Sequence, residues 1–340
     1  MKKKILTVVQ IAVTLGILYW IFHDPKKREE MWLALSQADP WWILAGVLAY
    51  GVVEVLAAAR WQILLRVQGI SLGWFRLLGL LMIGIFFNQF MPGGTGGDVV
   101  KIFYLLKETP GKKAQALLAV LMDRVIGLLG LMLVTGFIIW KKYDWLMQYA
   151  ITKKLTWSLL IVLGASFAGI AFSFAITGLG LVQKLPKRMP GRDKFIDLAV
   201  AYNAYARAWK ASLLAIAVSL GIHIASFYVF YSASQALRAG VKITDFFAVM
   251  PIINTLAALP ISVGGTGVRE GLFQSLLHAL CNVKEADAVV ISLTGFAIVL
   301  FWALIGGVIY LFYRPTEHAK LAVIRHDVAA LEHEIAEEKN

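Results

Sequence analysis

The chain alternates long apolar runs with short charged stretches. The runs at 5–22, 41–65, 114–140, 157–177, 211–237 and 288–313 each approach or exceed the roughly 20 residues a helix needs to cross a hydrocarbon core. Two further runs stop short. Residues 74–91 enter Pro92-Gly93-Gly94-Thr95-Gly96-Gly97-Asp98, and residues 243–259 enter Pro260-Ile261-Ser262-Val263-Gly264-Gly265-Thr266-Gly267. Pro and clustered Gly end a helix, so half-helices are predicted to restart at 98–106 and 268–280. Within apolar surroundings such a break is stable only where protein or a water-filled cavity satisfies the freed backbone groups.

The two Gly-Gly-Thr-Gly tetrads begin at Gly93 and Gly264, 171 residues apart in a chain of 340. Paired broken segments in corresponding positions are the sequence sign of a transporter built from two repeats with its site near the midplane. The expected fold is an all-α polytopic membrane protein of two inverted repeats. Each repeat carries a Pro/Gly-broken re-entrant helix hairpin, and about six full spans accompany the two hairpins. One transmembrane domain, 1–313, is expected, with repeat one at 41–177 and repeat two at 194–313. Reading both broken segments as hairpins leaves more Lys and Arg inside than outside, whereas full crossing evens the two sides. Lys2, Lys3 and Lys4 precede the first run and no small-x-small cleavage site follows it, so an uncleaved anchor with a cytoplasmic amino end is expected. The charged tail 314–340 carries Leu321, Ile324, Val328, Leu331 and Ile335 at helical spacing and reads as a cytoplasmic amphipathic helix. The expected location is a bacterial-type inner membrane.

Composition narrows the functional classes. At 59% hydrophobic residues and a mean hydropathy of +0.72 the chain is too apolar for a soluble domain. The net charge of +12 would suggest nucleic acid in a soluble protein, but here the basic residues flank apolar runs, which points to anionic lipid headgroups instead. Cys281 is the sole cysteine, so no intramolecular disulfide forms. No metal-ligand cluster, nucleophile elbow or Walker loop is present in the sequence, so neither a cofactor nor catalysis is expected.

The candidate chemistry lies in the breaks and in the charges beside them. Glycine permits close approach of backbone or ligand, and a helix start presents free N–H groups and a positive dipole end. Asp98 and Lys101 lie i,i+3 on the first half-helix and are placed to pair; Asp123 and Arg124 sit inside an apolar span; Arg269 and Glu270 open the second half-helix. A charge at membrane depth costs about 2.5–3.5 kcal/mol on insertion scales, so these groups should face a cavity or one another. Arg124 and Arg269 suit phosphate because guanidinium binds it bidentately, with Asp98 and Glu270 holding them in the absence of lipid. Both half-helix starts are expected to face one shared cavity. Glu54 is set deeper in its span, where packing against Arg60 competes with a proton-coupling role.

Asn88, Pro92, Gly93, Gly94, Gly96, Gly97, Asp98 and Lys101, followed by Asp123, Arg124 and Gly127 and then by Pro260, Gly264, Gly265, Gly267, Arg269 and Glu270, form an ordered set. It resembles the flippase-type transmembrane domain of lysylphosphatidylglycerol synthases, over about residues 5–313. The resemblance implies two inverted halves with re-entrant helices and movement of a phospholipid between leaflets, with Asp98, Arg124, Arg269 and Glu270 as the functional polar residues. Lys101 departs from the family pattern, which more often has arginine there. With 27 residues after Tyr313, no aminoacyl-transfer domain is expected, and aminoacylated lipid is not implied as cargo.

The sequence therefore reads as a non-enzymatic lipid transporter whose partners are membrane phospholipids, anionic ones first. Nucleic acid is not an expected partner, and homo-oligomerisation is left open. Two rivals stand beside this reading. One is a membrane transferase acting on a polyisoprenyl-phosphate lipid with Asp98 or Asp123 as base. The other is an accessory subunit that anchors a synthase through its tail.

Overall fold

The computed structural model describes residues 19, 23–90, 96–109, 112–184, 192–258, 262 and 265–313. Most of the expected first span, together with Pro92, Gly93, Gly94, Pro260, Gly264 and the tail, lies outside them. Eleven α-helices account for nearly all described residues: α1 (Pro25–Ser36), α2 (Pro40–Val67), α3 (Trp74–Phe90), α4 (Gly96–Glu108), α5 (Lys113–Leu146), α6 (Ala150–Gly178), α7 (Arg192–Arg207), α8 (Trp209–Ala236), α9 (Ile243–Ala257), α10 (Val268–Cys281) and α11 (Glu285–Phe312). Five of them, α2, α5, α6, α8 and α11, are long and apolar enough to cross a membrane. Their outward faces carry large apolar side chains such as Leu48, Phe137, Phe167, Phe172 and Phe301, as lipid contact requires.

Two stretches that read as polar links are largely helical. Asp24 and Asp39 each precede a proline, and each accepts a backbone hydrogen bond two residues on, from Lys26 at 3.0 Å and from Trp41 at 2.9 Å. An aspartate N-cap followed by Pro at the first helical position starts a helix, so α1 fills much of the segment 23–39. The link after Trp140 is also short. α5 continues to Leu146 past a non-helical Lys142 (φ −117°, ψ 20°), and the buried Thr152 hydroxyl donates back to Leu146 O at 2.7 Å, folding the start of α6 against that end.

An order of long, short, short, long occurs twice, with lengths of 28, 17, 13 and 34 residues in α2–α5 and 28, 15, 14 and 28 in α8–α11. The leading helices α2 and α8 pack antiparallel along their length. Asp39 N donates to Ala236 O at 2.9 Å near one end, and Arg60 bonds Ser219 at 2.7 Å toward the other. The short α3 packs on α11, where Gly306 lies directly against the Met82 carbonyl. The corresponding α9 packs on α5. Small residues let these backbones approach, and in lipid that contact rather than apolar burial holds helices together. One core gathers Trp61, Leu77, Leu80 and Tyr104, and another gathers Phe227, Phe246, Phe273 and Ile291 together with Ile139 and Leu146 of α5 and Leu159 and Leu163 of α6.

Each short pair doubles back. Arg76 near the start of α3 pairs with Glu108 at the end of α4, and Tyr313 donates to the same carboxylate at 3.3 Å. Lys112 reaches Gly69 O at 2.6 Å beside them. At the other end of α5, Lys142 pairs with Asp245 of α9 at 2.7 Å. A polar pocket of about 280 Å³ there is lined by Tyr149, Lys242, Asp245, Cys281 and Asn282. Because α5 runs from the first group to the second, the two pairs open at opposite ends of the molecule.

That arrangement has a direct chemical readout. In a Cys281→Ser background, an impermeant thiol reagent applied to intact cells should label only one of Asn282→Cys and Lys112→Cys and leave the other untouched until the membrane is opened. Labelling of both from outside would overturn the opposite-ends geometry. Cys281 itself is a poorer probe, because burial pushes its thiol up to about 12. The thiolate is the reactive form, so its labelling should be slow at neutral pH and rise about tenfold for each unit of pH up to that value.

Candidate functional site

The break before α4 is held by one side chain and one close backbone contact. Asn88 Oδ1, on the last turn of α3, accepts from Gly97 N at 2.9 Å. This satisfies one of the free donors of the helix start. Gly97 lies so close to α3 that a Cβ there would overlap the Gly84 carbonyl oxygen. Gly97→Ala should therefore lower the yield of folded protein, at a cost of about 1–3 kcal/mol for overpacking. Fluorescence-detected size exclusion is the measurement, and a monodisperse peak at wild-type yield would exclude that close packing.

With its start fixed, α4 carries Asp98 and Lys101 into a cluster with charges from α2 and α5 and a hydroxyl from α8. Arg124 of α5 donates through Nε to Asp98 Oδ2 at 2.8 Å, and its Nη2 lies 2.7 Å from the same oxygen. Asp123, the preceding residue, accepts from Arg60 Nε of α2 at 2.8 Å, and Arg60 Nη1 donates to Ser219 Oγ of α8 at 2.7 Å. Lys101 lies between the two acids, 3.9 Å from Asp98 and 3.7 Å from Asp123, with its ammonium 4.6 Å from the centre of the Trp61 ring. These two carboxylate distances exceed hydrogen-bond length, so Lys101 is placed by field and by Trp61 more than by directed bonds. Asp98 Oδ1 is buried without a hydrogen-bond partner.

Burial separates the two arginines of this cluster. The Arg60 side chain is 11% exposed and Arg124 is 56% exposed, although both belong to helices apolar enough to span a membrane. Leu121 and Leu117, one and two turns before Arg124, are exposed with it. Arg124 thus stands on a surface whose other members face lipid, tied by Asp98 at one edge of its fork.

The second break builds a smaller and tighter group. Gly267 opens α10 at φ +86°, and Gly265 at φ +75° lies against the Ala257 carbonyl, a left-handed conformation that glycine adopts without penalty. Glu270 turns back and accepts from Gly267 N at 2.6 Å, filling the acidic half of a capping box. Its other oxygen accepts from Arg269 Nη2 at 2.7 Å and from Ser292 Oγ of α11 at 3.0 Å. Arg269 Nε also donates to Ser292 Oγ at 3.2 Å, and the guanidinium stacks 4.2 Å from the Phe296 ring centre. Here the Arg269 side chain is 10% exposed and Glu270 is sealed.

Asp98, Lys101, Asp123 and Arg124 therefore come together, as do Arg269 and Glu270. Among the described residues no hydrogen bond or ion pair joins the two groups, and neither arginine lines the crevice of about 700 Å³ between α1, α2 and α11. That crevice is walled by apolar side chains such as Ile43, Val47, Leu293 and Phe301.

The model of the lysylphosphatidylglycerol synthase transmembrane region matches residues 7–307. The chain belongs to this family. Among its relatives is the UPF0104 membrane protein PH1989 of Pyrococcus horikoshii, 24% identical over 92% of this chain and 97% of that one. A UPF0104 membrane protein of Methanothermobacter thermautotrophicus is 23% identical over 87% and 92% of the two chains. The UPF0104 membrane protein MJ1595 of Methanocaldococcus jannaschii is 25% identical over 59% of this chain and 56% of its own.

In this member of the lysylphosphatidylglycerol synthase transmembrane family, sequence reasoning misplaced one charge and missed two hydroxyls. Packing against Arg60 is one of the two readings offered for Glu54, but Asp123 and Ser219 occupy the Arg60 donors. Arg60 is also buried within α2. The signal available was its depth, twenty residues past the capping Asp39-Pro40 pair. Ser219 and Ser292 carried no signal, since small hydroxyl residues in apolar helices are ordinary packing.

Proposed function

We propose that this protein moves a lipid with a phosphate-bearing headgroup between the leaflets of a bacterial-type inner membrane, without covalent chemistry. The observation that carries the reading is Arg124: a guanidinium more than half exposed on a membrane-spanning helix, held at one edge by a carboxylate. A charge in that position is expensive unless it serves a polar pathway. Acyl chains can stay in the bilayer while a headgroup reaches Arg124 from the side, so only the phosphate needs a protected route. Guanidinium offers that phosphate a bidentate fork, and the start of α4 adds backbone donors next to Asp98.

In this reading α3–α4 and α9–α10 are re-entrant hairpins of two inverted repeats, entered from opposite sides, with both termini cytoplasmic. The matching lengths of α2–α5 and α8–α11 and the reciprocal packing of α3 on α11 and α9 on α5 support it. The first group would then be a half-site open to a headgroup and the Arg269–Glu270 group its sealed counterpart, consistent with their exposures. The family name, a transmembrane region of lysylphosphatidylglycerol synthase, favours phosphatidylglycerol-like lipids as the first to test.

The test is leaflet exchange of fluorescent phosphatidylglycerol, phosphatidylethanolamine and a polyisoprenyl phosphate in proteoliposomes, read by quenching the outer leaflet. Purified protein should accelerate exchange of at least one of them well above empty vesicles. No acceleration of any would end the transporter reading and leave the transferase.

A further inference from the structure

Glu54 lies near the middle of α2, fourteen residues from Pro40 and so about 21 Å along the helix. It is 4% exposed, and its Oε2 atom has no hydrogen-bond partner. Tyr50, one turn back, places its hydroxyl against the carboxyl group, and Lys101 faces it from α4. Arg60, the nearer of the two arginines on its own helix, is occupied by Asp123 and Ser219. Glu54 is thus the one carboxyl group beside the first cluster that has neither a guanidinium nor a backbone donor.

Charge in this cluster is nearly balanced. Arg60, Lys101 and Arg124 face Asp98 and Asp123, so the group carries one net positive charge when Glu54 is neutral and none when it is ionised. Lys101 is the part able to respond, because it holds neither aspartate at hydrogen-bond distance. The remaining polar groups nearby are few. From α5 come Asp123 and Arg124, and from α8 come Ser219 and His223, whose Nε2 lies 2.9 Å from Gly127 O. From α11, Trp302 donates to Val47 O, and from α7, Tyr205 donates to Leu64 O.

We propose that Glu54 binds a proton each time the cluster binds an anionic headgroup, so that lipid movement is coupled to proton movement. With the proton on Glu54 Oε2, the cluster keeps its surplus positive charge. A phosphate can then draw Arg124 from Asp98 while Lys101 takes Arg124's place beside that carboxylate. When the proton leaves for water, the ionised Glu54 draws Lys101 toward itself, Asp98 reclaims Arg124 and the headgroup is released. Atoms and charge balance: one proton and one monoanion enter together and leave together. This coupling rests on the transporter reading, and the source of the phosphate is a lipid headgroup.

Titration calorimetry of the purified full-length protein with short-chain phosphatidylglycerol, in two buffers of different ionisation enthalpy, counts protons taken up per lipid bound. A parallel titration with inorganic phosphate separates a headgroup site from a free-anion site. The expected result is about one proton per lipid, with affinity falling about tenfold per pH unit where Glu54 loses its proton. Glu54→Gln should bind lipid with no proton uptake and a flat pH profile, and His223→Gln should keep the wild-type proton count. Wild-type binding with no proton uptake would overturn the coupling while leaving transport standing. Loss of proton uptake in His223→Gln would move the proton to that histidine and equally overturn it. If wild-type protein binds neither probe, the transporter reading itself fails and the coupling falls with it. Should Glu54→Gln fail to fold, the wild-type count and the His223→Gln result still decide.

Discussion

Arg124→Gln should slow leaflet exchange of an anionic phospholipid by about a hundredfold and leave the thermal stability of the purified protein close to wild type. The size follows from two charge-assisted hydrogen bonds lost from one phosphate, about 1.5 kcal/mol each at the low end, with 1.4 kcal/mol per factor of ten. The small stability effect follows from exposure. Arg124 is 56% exposed, and an ion pair screened by that much solvent contributes little to folding. Asp98 also keeps Lys101 within 3.9 Å, so its charge is not stranded. Arg124→Lys should recover part of the rate, because an ammonium attracts the phosphate without the planar fork. Wild-type exchange in Arg124→Gln protein would remove this residue from the lipid path, and with it the observation on which the function rests.

The breaks and their charges were legible because the residue types there have few other uses. Pro92 and Pro260, with the glycine tetrads behind them, cannot continue a helix, and the helices beside them end at Phe90 and Ala257. Within the first half-helix, spacing alone placed Asp98 near Lys101, while Glu270 holding Arg269 was expected from the cost of an unpaired buried charge. Long apolar runs likewise mapped onto α2, α5, α6, α8 and α11. What stayed hidden were contacts set by which faces of distant helices meet. Arg60 and Asp123 are 63 residues apart, and nothing local distinguishes a partner on α5 from one on α2 itself. Glu54 was obscured for the same reason: the reading that packed it against Arg60 concealed that its Oε2 atom has no hydrogen-bond partner. The helical stretch after His23 was hidden for another reason. It lacks an apolar run to mark it, while Asp24-Pro25, a local start signal, decided for a helix.

The second arginine should behave in the opposite way to the first. Arg269→Gln leaves Glu270 as a fully buried carboxylate whose only remaining partners are Gly267 N and Ser292 Oγ. Removing one member of a buried pair costs about 3–5 kcal/mol, so most of the folded protein should be lost. Activity of that variant then says little about lipid. The informative protein is the double variant Arg269→Gln with Glu270→Gln, which removes both charges together. An amide at 270 still accepts from Gly267 N, since glutamine serves in a capping box as glutamate does. Ser292 can reorient to an amide as donor or acceptor. Folding should therefore return to near wild type, with coupling between the two sites visible in a double-mutant cycle of thermal midpoints. Leaflet exchange should stay low, because the second half-site has lost its guanidinium although its shape is restored. If exchange returns together with the fold, Arg269 and Glu270 are a pin between α10 and α11, and the headgroup path belongs to the first cluster alone.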